Sequence, residues 1–142
     1  MPLTLVILKK HNRNKNTFKG EYMKINESSL IPIFIQVAEW LEEEILQGNI
    51  KEEEQVPSTN QFATTYSINP ATARKGFGLL VEEGILYKKR GIGMFVATGA
   101  KEKIQAKAKE RFMKETLQSV WKEAQKLGMT KKDIIKLLME LD

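Results

Sequence analysis

The chain has 142 residues, of which 42% are hydrophobic and 29% are charged, a composition typical of globular proteins. This length suffices for one compact domain with an appendage, and it excludes a second domain of full size. Cysteine is absent, which excludes disulfides, thiolate metal sites and cysteine nucleophiles and fits a cytoplasmic location. The net charge of +5 favours a polyanionic partner.

Residues 1–22 show no periodic pattern and are predicted to form a flexible tail. Their apolar patch, from Leu3 to Leu8, is far shorter than the roughly 20 residues of a membrane-spanning helix, so no membrane partner is predicted. The only histidine, His11, also lies in this segment. A lone histidine has no second ligand or base beside it, so we predict no metal site, no cofactor and no catalytic histidine.

The first predicted helix opens with Pro32 at its first helical position. Apolar residues then recur at every fourth position, namely Ile33, Val37, Leu41 and Ile45, and Gly48 ends the pattern. Acidic residues crowd the segment from Glu39 to Glu54, whereas basic residues gather further along the chain. One acidic side and one basic side would orient the protein against a polyanion.

Two further helices are predicted from their capping residues. Ser58 and Gln61 have the spacing of a capping box, in which each side chain binds the backbone N–H of the other residue. Asn69 followed by Pro70 is a typical N-cap and first-turn pair for the third helix. That helix has an apolar face and an opposite face that is polar and open. The apolar face contains Ala73, Phe77, Leu80 and Val81, and Gly84 ends the helix.

Two short strands are predicted after Gly84, at residues 85–89 and 94–98. The turn between them contains Gly91 and Gly93, which give it conformational freedom. It therefore presents the adjacent cations Lys88, Lys89 and Arg90 to a backbone or a minor groove at low steric cost.

The C-terminal segment is predicted to form two helices. The first runs from Lys101 to Leu127, and the second follows Thr130, which is placed to cap the N–H of Asp133. A hairpin of this size cannot bury both apolar stripes within itself, so we predict that they meet a second copy of the chain. The predicted dimer interface comprises Phe112, Leu117, Val120, Trp121, Ile134, Leu137, Leu138 and Leu141.

The second and third helices have the arrangement of a helix-turn-helix, whose second helix enters the major groove of DNA. Ala71 and Thr72 are small and offer methyl groups to thymine, while Arg74 and Lys75 can reach phosphate or guanine. An ordinary helical corner with a solvated face fits the same pattern. The basic hairpin that follows favours DNA binding, because it completes a winged helix.

The segment VPSTNQFATTYSINPATARKGFGLLVEEGILYKKRGIGMFV resembles the DNA-binding domain of GntR-type regulators. The resemblance begins near Pro32, runs to Val96 and covers roughly half of the chain. The short helical segment after it resembles the YtrA branch of that family, whose members are typically repressors of nearby transporter operons. Larger branches carry a metabolite-binding domain in that place.

The resemblance implies roles for individual residues. The family's Pro-Ser motif at the start of its second helix falls on Pro57 and Ser58, and its recognition-helix threonine falls on Thr72. The arginine two residues further on corresponds to Arg74, and the wing glycines correspond to Gly91 and Gly93.

This sequence departs from the family pattern at two positions where an arginine is usual. They hold Asn60, just after the Pro-Ser motif, and Pro70, near the start of the recognition helix. The operator sequence of better-known relatives therefore does not carry over. The basic cluster from Lys88 to Arg90 is expected to bear more of the phosphate binding.

We therefore predict an α+β fold with a tail at residues 1–22, a winged helix-turn-helix domain at residues 23–98 and a helical dimerisation region at residues 99–142. The predicted function is that of a sequence-specific transcription regulator, a homodimeric repressor that binds a pseudo-palindromic double-stranded operator. No effector is identified. The predicted DNA-binding residues are Ser58, Thr59, Asn60, Asn69, Pro70, Ala71, Thr72, Arg74, Lys75, Lys88, Lys89, Arg90, Gly91 and Gly93.

Two other hypotheses remain at this point. In one, the chain is a winged-helix module that binds a protein through its C-terminal hairpin, and the basic turn is merely solvated. In the other it is an enzyme, whose site would have to be built without cysteine and with one histidine in the tail. The absence of any base beside Ser58, Ser67 or Thr72 argues against the enzyme.

Overall fold

The computed structural model describes residues 22–142, and the prediction for residues 1–21 lies outside this range. The chain divides into two compact units, the first ending at Ile104 and the second running from Gln105 to Asp142. The fold is α+β, as predicted. The elements of the described chain are α1 (Ile33–Leu46), α2 (Thr59–Tyr66), α3 (Pro70–Glu82), β1 (Leu86–Lys89), β2 (Gly93–Val96), α4 (Ala100–Arg111), a π-helical turn (Phe112–Thr116), α5 (Leu117–Lys126) and α6 (Lys131–Met139).

Helix α1 supplies one wall of the core of the first unit. It begins one residue later than predicted, because Pro32 is its N-cap and not its first helical residue. Val37, Leu41 and Ile45 are fully buried, as their spacing predicted. The helix packs against α3.

The close packing of α1 on α3 depends on Gly76. A Cβ atom at this position would lie 2.7 Å from the carbonyl oxygen of Phe34 and 2.9 Å from Cγ1 of Val37. Both distances are shorter than van der Waals contact, so a larger residue would force the helices apart.

Aromatic rings fill the space between α1, α2 and α3. Phe62 and Phe77 are fully buried and meet edge to face, with ring centroids 5.2 Å apart. Tyr22, the last residue of the predicted tail, has its ring 5.0 Å from that of Tyr66, and its hydroxyl donates a hydrogen bond to the carbonyl of Thr65 at 3.2 Å. The chain is therefore packed against α2 from Tyr22 onward.

The predicted caps of α2 and α3 are confirmed. The N–H of Gln61 donates to Oγ of Ser58 at 3.1 Å, and the N–H of Ser58 donates to Oε1 of Gln61 at 3.2 Å. Asn69 caps α3 by accepting the N–H of Ala71 at 2.8 Å. Between the helices, Ser67 adopts a left-handed conformation with φ of 54°, which ends α2 and turns the chain.

The two strands form an antiparallel hairpin in which Leu86 pairs with Val96 and Lys89 pairs with Gly93. A third segment lies along β2, and the sequence did not predict it. The N–H of Glu53 donates to the carbonyl of Val96 at 2.8 Å, and the N–H of Val56 donates to that of Met94 at 3.0 Å. The outer edge of the hairpin is therefore tied to the chain that precedes α2.

The second unit consists of helices with little buried surface of their own. Among residues 105–142 only Ala124 is buried. The predicted cap of α6 is confirmed, since Thr130 and Asp133 exchange hydrogen bonds of 2.8 and 3.2 Å.

The predicted helix from Lys101 to Leu127 is interrupted by the π-helical turn. There the N–H of Leu117 donates to the carbonyl of Phe112, five residues earlier. The apolar residues are spaced by four before Phe112 and by five between Phe112 and Leu117. A π-turn accommodates this longer spacing, because it places residues five apart one above the other.

Candidate nucleic-acid interface

The predicted DNA-binding residues lie at three places in the first unit. They occupy the start of α2, the first turns of α3 and the hairpin of β1 and β2. Helix α2 packs against α3, and α3 contacts β1, so one continuous body carries all three places. We propose that residues at all three places contact DNA.

At the start of α2, Ser58 is the N-cap of the helix. Its hydroxyl can still donate a hydrogen bond outward, because the cap uses it only as an acceptor. Thr59 is half-buried, and Asn60 is exposed on the first turn. Asn60 therefore presents an amide where the family pattern has an arginine.

The outward face of α3 is smooth and basic. Ala71, Arg74 and Lys75 are exposed, and these positions are three and four residues apart on one helix face. Gly78 continues this face, and a Cβ atom there would meet nothing within 4 Å. Thr72 is half-buried, and Asn69 and Pro70 are exposed at the N-terminus. A helix with such small side chains can approach another surface closely.

The two cations of α3 differ in their surroundings. The ammonium of Lys75 lies 3.9 Å from the centroid of the Phe34 ring, so this lysine leans toward α1 in a cation–π contact. Arg74 is exposed. Arg74 is therefore the better candidate for a direct contact with a base or phosphate.

The hairpin of β1 and β2 carries the second group of cations. Lys88, Lys89 and Arg90 are all exposed, and Gly91 adopts φ of 74° in the turn, which a larger residue adopts only with strain. Lys89 lies over the ring of Phe95, with its ammonium 4.3 Å from the ring centroid. Lys89 therefore makes a cation–π contact within the hairpin, while Lys88 and Arg90 are exposed on its surface.

The acidic segment before α2 has a structural role that the sequence did not predict. The carboxylate of Glu53 accepts hydrogen bonds from the hydroxyls of Tyr87 at 2.6 Å and Thr98 at 2.7 Å. These bonds lower the pKa of Glu53, and the charge of Lys89 adds to the effect. Glu53 therefore stabilises the base of the hairpin through these two hydrogen bonds.

Other acidic residues of the same region are also engaged within the first unit. Oε2 of Glu54 accepts the N–H of Lys51 at 2.9 Å, and Glu42 and Glu44 of α1 are buried. The predicted acidic side is therefore not a uniformly solvated face.

Gln55 and Ile92 were not among the predicted site residues, yet they define the tip of the hairpin. Nε2 of Gln55 donates to the carbonyl of Ile92 at 3.1 Å, and the Ile92 side chain is 64% exposed. The pairing arises only in the folded sheet, because 37 residues separate the two in the chain. The exposed apolar residue between two glycines was the one local signal in the sequence.

The predicted dimer residues all lie in the second unit or at its start. Trp121 and Ile134 are half-buried. The remaining six are exposed to solvent within a single chain: Phe112, Leu117, Val120, Leu137, Leu138 and Leu141. The second unit thus carries an extended apolar surface that its own residues do not cover.

Residues 22–142 contain no group of three or more histidine, cysteine, aspartate or glutamate side chains arranged to hold a metal ion. Within the same residues no helix has the length and apolar character needed to cross a membrane.

The sequence and the fold of this chain are similar to those of known proteins. Residues 35–96 match the model of the bacterial regulatory proteins of the gntR family. The chain is 30% identical over 107 residues to the transcriptional repressor YtrA of Bacillus subtilis, an alignment that covers 75% of this chain and 82% of YtrA. It is 37% identical over 75 residues to the transcriptional repressor NagR of the same organism, covering 53% of this chain.

The alignment spans only 31% of NagR, so this chain matches about a third of that longer relative. Among solved structures, a GntR-family transcriptional regulator from Bacteroides thetaiotaomicron is 36% identical, with a TM-score of 0.66. That likeness covers 76% of this chain and 94% of the other. These relatives are transcription regulators and not enzymes, and the chain therefore belongs to the GntR family of bacterial regulatory proteins as a YtrA-like member.

Proposed function

We propose that this protein is a sequence-specific transcription repressor that binds operator DNA as a homodimer. The observation that carries the proposal is the outward face of α3. It combines the exposed Arg74 with the small residues Ala71 and Gly78, so that the helix backbone can approach base edges in a major groove.

The hairpin of β1 and β2 supports the same function. Lys88 and Arg90 are exposed beside Gly91, whose φ of 74° shapes the turn, and such a basic tip suits the phosphate backbone or the minor groove next to the major-groove site. Binding through these cations releases counterions, so affinity should fall steeply as salt rises.

The second unit supports the proposed homodimer. Leu117, Leu137, Leu138 and other apolar side chains are exposed along it, a surface that a single soluble chain rarely leaves bare. A two-fold axis through this surface would match a pseudo-palindromic operator, with the two α3 helices about 34 Å apart or a multiple of it. By its likeness to YtrA, we propose a nearby operon, typically a transporter operon, as the target.

The test is equilibrium binding of the purified full chain to the DNA upstream of its own gene, measured at two salt concentrations. A duplex of the same composition in scrambled order serves as the competitor. Binding that resists the competitor at both salt concentrations supports the proposal. Binding that both duplexes compete equally, and that the higher salt abolishes, would contradict sequence-specific recognition.

A second candidate function is a winged-helix module that binds a protein through its second unit. The exposed apolar surface of residues 105–142 is the observation that favours it. Neutralising Lys88 and Arg90 distinguishes the two functions, because it would abolish DNA binding in a repressor and leave the binding of a protein partner unchanged.

A further inference from the structure

Helix α4 begins inside the first unit and continues beyond it. It runs without a break from Ala100 to Arg111, while the first unit ends at Ile104. Ala100 is fully buried and Ile104 is 3% exposed, so the first turn of α4 belongs to the core of the first unit. The residues that surround this turn therefore fix the point and the direction at which α4 begins.

A turn of acidic residues contacts the start of α4. This acidic turn comprises residues 51–54, and it closes where the N–H of Glu54 donates to the carbonyl of Lys51 at 3.1 Å. Oε1 of Glu52 accepts the N–H of Lys101 at 3.3 Å. An N–H at the start of a helix has no partner within the helix, so the carboxylate both satisfies this donor and matches the positive end of the helix dipole.

The backbone that carries Glu52 is held in place by its neighbour Glu53. Glu53 adopts φ of 65°, a conformation that residues other than glycine adopt only at a cost in energy. Its N–H donates to the carbonyl of Val96 at 2.8 Å, and its carboxylate accepts the hydroxyls of Tyr87 and Thr98. These bonds hold the acidic turn against the hairpin. Glu52 therefore meets α4 from a backbone that the hairpin supports.

The end of α3 contacts the same turn of α4. The ammonium of Lys103 donates to the carbonyl of Gly84, just past the C-terminus of α3, at 3.4 Å. A Cβ atom at position 84 would lie 2.8 Å from this ammonium, so the glycine leaves the room that the lysine occupies. The helix dipole favours a cation at this end of α3. The helix that carries Arg74 is therefore in direct contact with the start of α4, within the first unit.

We propose that Glu52 and Lys103 are positioning residues that set the spacing between the two DNA half-sites that the homodimer accepts. This inference rests on the proposed homodimeric DNA-binding function. In such a dimer, the chain that leads from α3 to the proposed interface passes through α4. A start of α4 that is fixed in direction limits how far the two α3 helices can move along the DNA or rotate about it. A start that swivels would let them follow half-sites of different spacing.

The geometry of DNA makes this spacing a sensitive quantity. Each added base pair moves one half-site by about 3.4 Å along the duplex and rotates it by about 34°, since a helical turn has about 10.5 base pairs. A dimer whose α4 helices are fixed must twist or bend the DNA to follow, and this deformation costs free energy. The dependence of affinity on spacing therefore measures how firmly the start of α4 is held.

The test uses a duplex with two half-sites, selected from a random DNA pool by the full-length protein. Base pairs are added or removed between the half-sites, one or two at a time, and the affinity for each duplex is divided by the affinity of the same protein for the selected duplex. We expect the native chain to bind about tenfold more weakly after a change of two base pairs. Glu52→Ala and Lys103→Met should each reduce this spacing penalty to within about threefold.

Three variants serve as controls. Glu52→Gln keeps an oxygen that can accept the N–H of Lys101, so it should retain the native spacing penalty. Glu27→Ala and Lys109→Met remove the same charges from exposed positions, one before α1 and one in the last turn of α4, and should retain the penalty too. Because each affinity is taken relative to the same protein on the selected duplex, the change in net charge cancels.

A duplex with a single half-site separates positioning from a merely structural role. Spacing does not exist in such a duplex, so it reports the reading of DNA by one first unit alone. The proposed role predicts that the spacing penalty falls while the affinity for the single half-site stays near the native value. A merely structural role would weaken binding to the single half-site and to every spacing by the same factor, and that result would overturn the assignment of Glu52 and Lys103.

The remaining outcomes also decide the matter. A native chain that binds all spacings with similar affinity would overturn the inference, and so would a native penalty in both Glu52→Ala and Lys103→Met. A native penalty in one of them would remove that residue from the assignment. If selection enriches no duplex with two half-sites, the proposed function itself fails. The failure of the inference and that of the proposed function are therefore distinguishable.

Discussion

Two glycines of α3, two residues apart, differ in their surroundings, one crowded and one open. Gly76 lies against α1, where the Phe34 carbonyl is 2.7 Å from the position of a Cβ atom, whereas Gly78 faces open space. We expect Gly76→Ala to lower the free energy of unfolding by about 1–3 kcal/mol, because the two helices must move apart. Gly78→Ala should raise it by about 0.5–1 kcal/mol, because alanine favours the helix.

Urea denaturation of the two variants beside the native chain measures both changes. A similar shift in the two variants, in either direction, would contradict the assignment of Gly76 to the contact between α1 and α3. Gly78→Ala also adds a methyl group to the proposed DNA face, so its stability gain should come without a gain in DNA affinity.

Arg74 is the residue whose removal should most directly weaken DNA binding. It is exposed on α3, while Lys75 is drawn toward the Phe34 ring. Arg74→Ala should cost about 1–3 kcal/mol of binding free energy if the guanidinium reads a base, with relaxed specificity at that base. If it binds a phosphate instead, the slope of log affinity against log salt should flatten by about one.

Titration of labelled operator DNA across a salt series measures both quantities for Arg74→Ala. Lys132→Ala is the control, because Lys132 is exposed in the second unit and outside the proposed DNA face. An Arg74 variant with the affinity and the salt slope of the native chain would remove this residue from the interface.

Tyr66 makes folding sensitive to alkaline pH. Burial raises the pKa of its hydroxyl from 10.0 to about 12, with smaller contributions from Tyr22 and Glu44. Above pH 10.0 the unfolded chain loses this proton while the folded chain keeps it. The stabilisation is therefore fully present below pH 10.0 and is lost as the pH rises toward about 12.

Denaturation across this range, compared with Tyr66→Phe, isolates the contribution of Tyr66. All other ionisable groups are common to both proteins, so the difference between the two curves belongs to Tyr66. We expect the native chain to lose more stability than the variant as pH rises. Parallel curves would show that Tyr66 ionises equally in both states.

At the scale of elements, the capping box of α2 carries a separate prediction. Ser58→Ala removes the acceptor of the Gln61 N–H and should lower the free energy of unfolding by about 1 kcal/mol. Thr64→Ala is the control, because Thr64 is exposed within the same helix and alanine is a better helix former. Thermal unfolding measures both variants. Equal melting temperatures for Ser58→Ala and the native chain would show that the cap contributes nothing.

Helices and caps were predictable from the sequence because their signals are local. The cap of Ser58 lies three residues from its partner, and the buried side of α1 follows from a four-residue spacing. The hairpin was also predictable, since its two strands and the glycine-containing turn between them are consecutive in the chain. Its strands are shorter than predicted at their outer ends.

The unpredicted features depend on residues far apart in the chain. The segment from Glu53 to Val56 overlaps the acidic stretch of the sequence, and it lies along the edge of the sheet through hydrogen bonds to β2. The clamp of Gln55 on Ile92 has the same origin. The π-turn was missed because helix periodicity assumes a constant spacing, although the five-residue step to Leu117 was present in the sequence.

At the scale of the whole molecule, we propose that the apolar surface of the second unit forms the interface between two copies of the chain. Leu138 is 57% exposed in a single chain, and we expect Leu138→Glu to convert a dimer to a monomer because it places a charge in the proposed interface. Loss of paired binding should then weaken operator affinity by about 10²- to 10⁴-fold. Leu30→Glu is the control, because Leu30 is fully exposed in the first unit.

Analytical ultracentrifugation gives the mass of each variant in solution. The proposal predicts a dimer for the native chain and for Leu30→Glu, and a monomer for Leu138→Glu. A native chain that sediments as a monomer at micromolar concentration would contradict the proposed pairing through the second unit.

We propose that two copies of this chain read a symmetric DNA site through α3 and the hairpin. Hydroxyl-radical footprinting of the native protein on the DNA upstream of its gene tests it most directly. We expect two protected patches on one side of the duplex, related by two-fold symmetry and centred about 34 Å apart or a multiple of it. Uniform protection along the DNA, or a single patch without a symmetric mate, would contradict it.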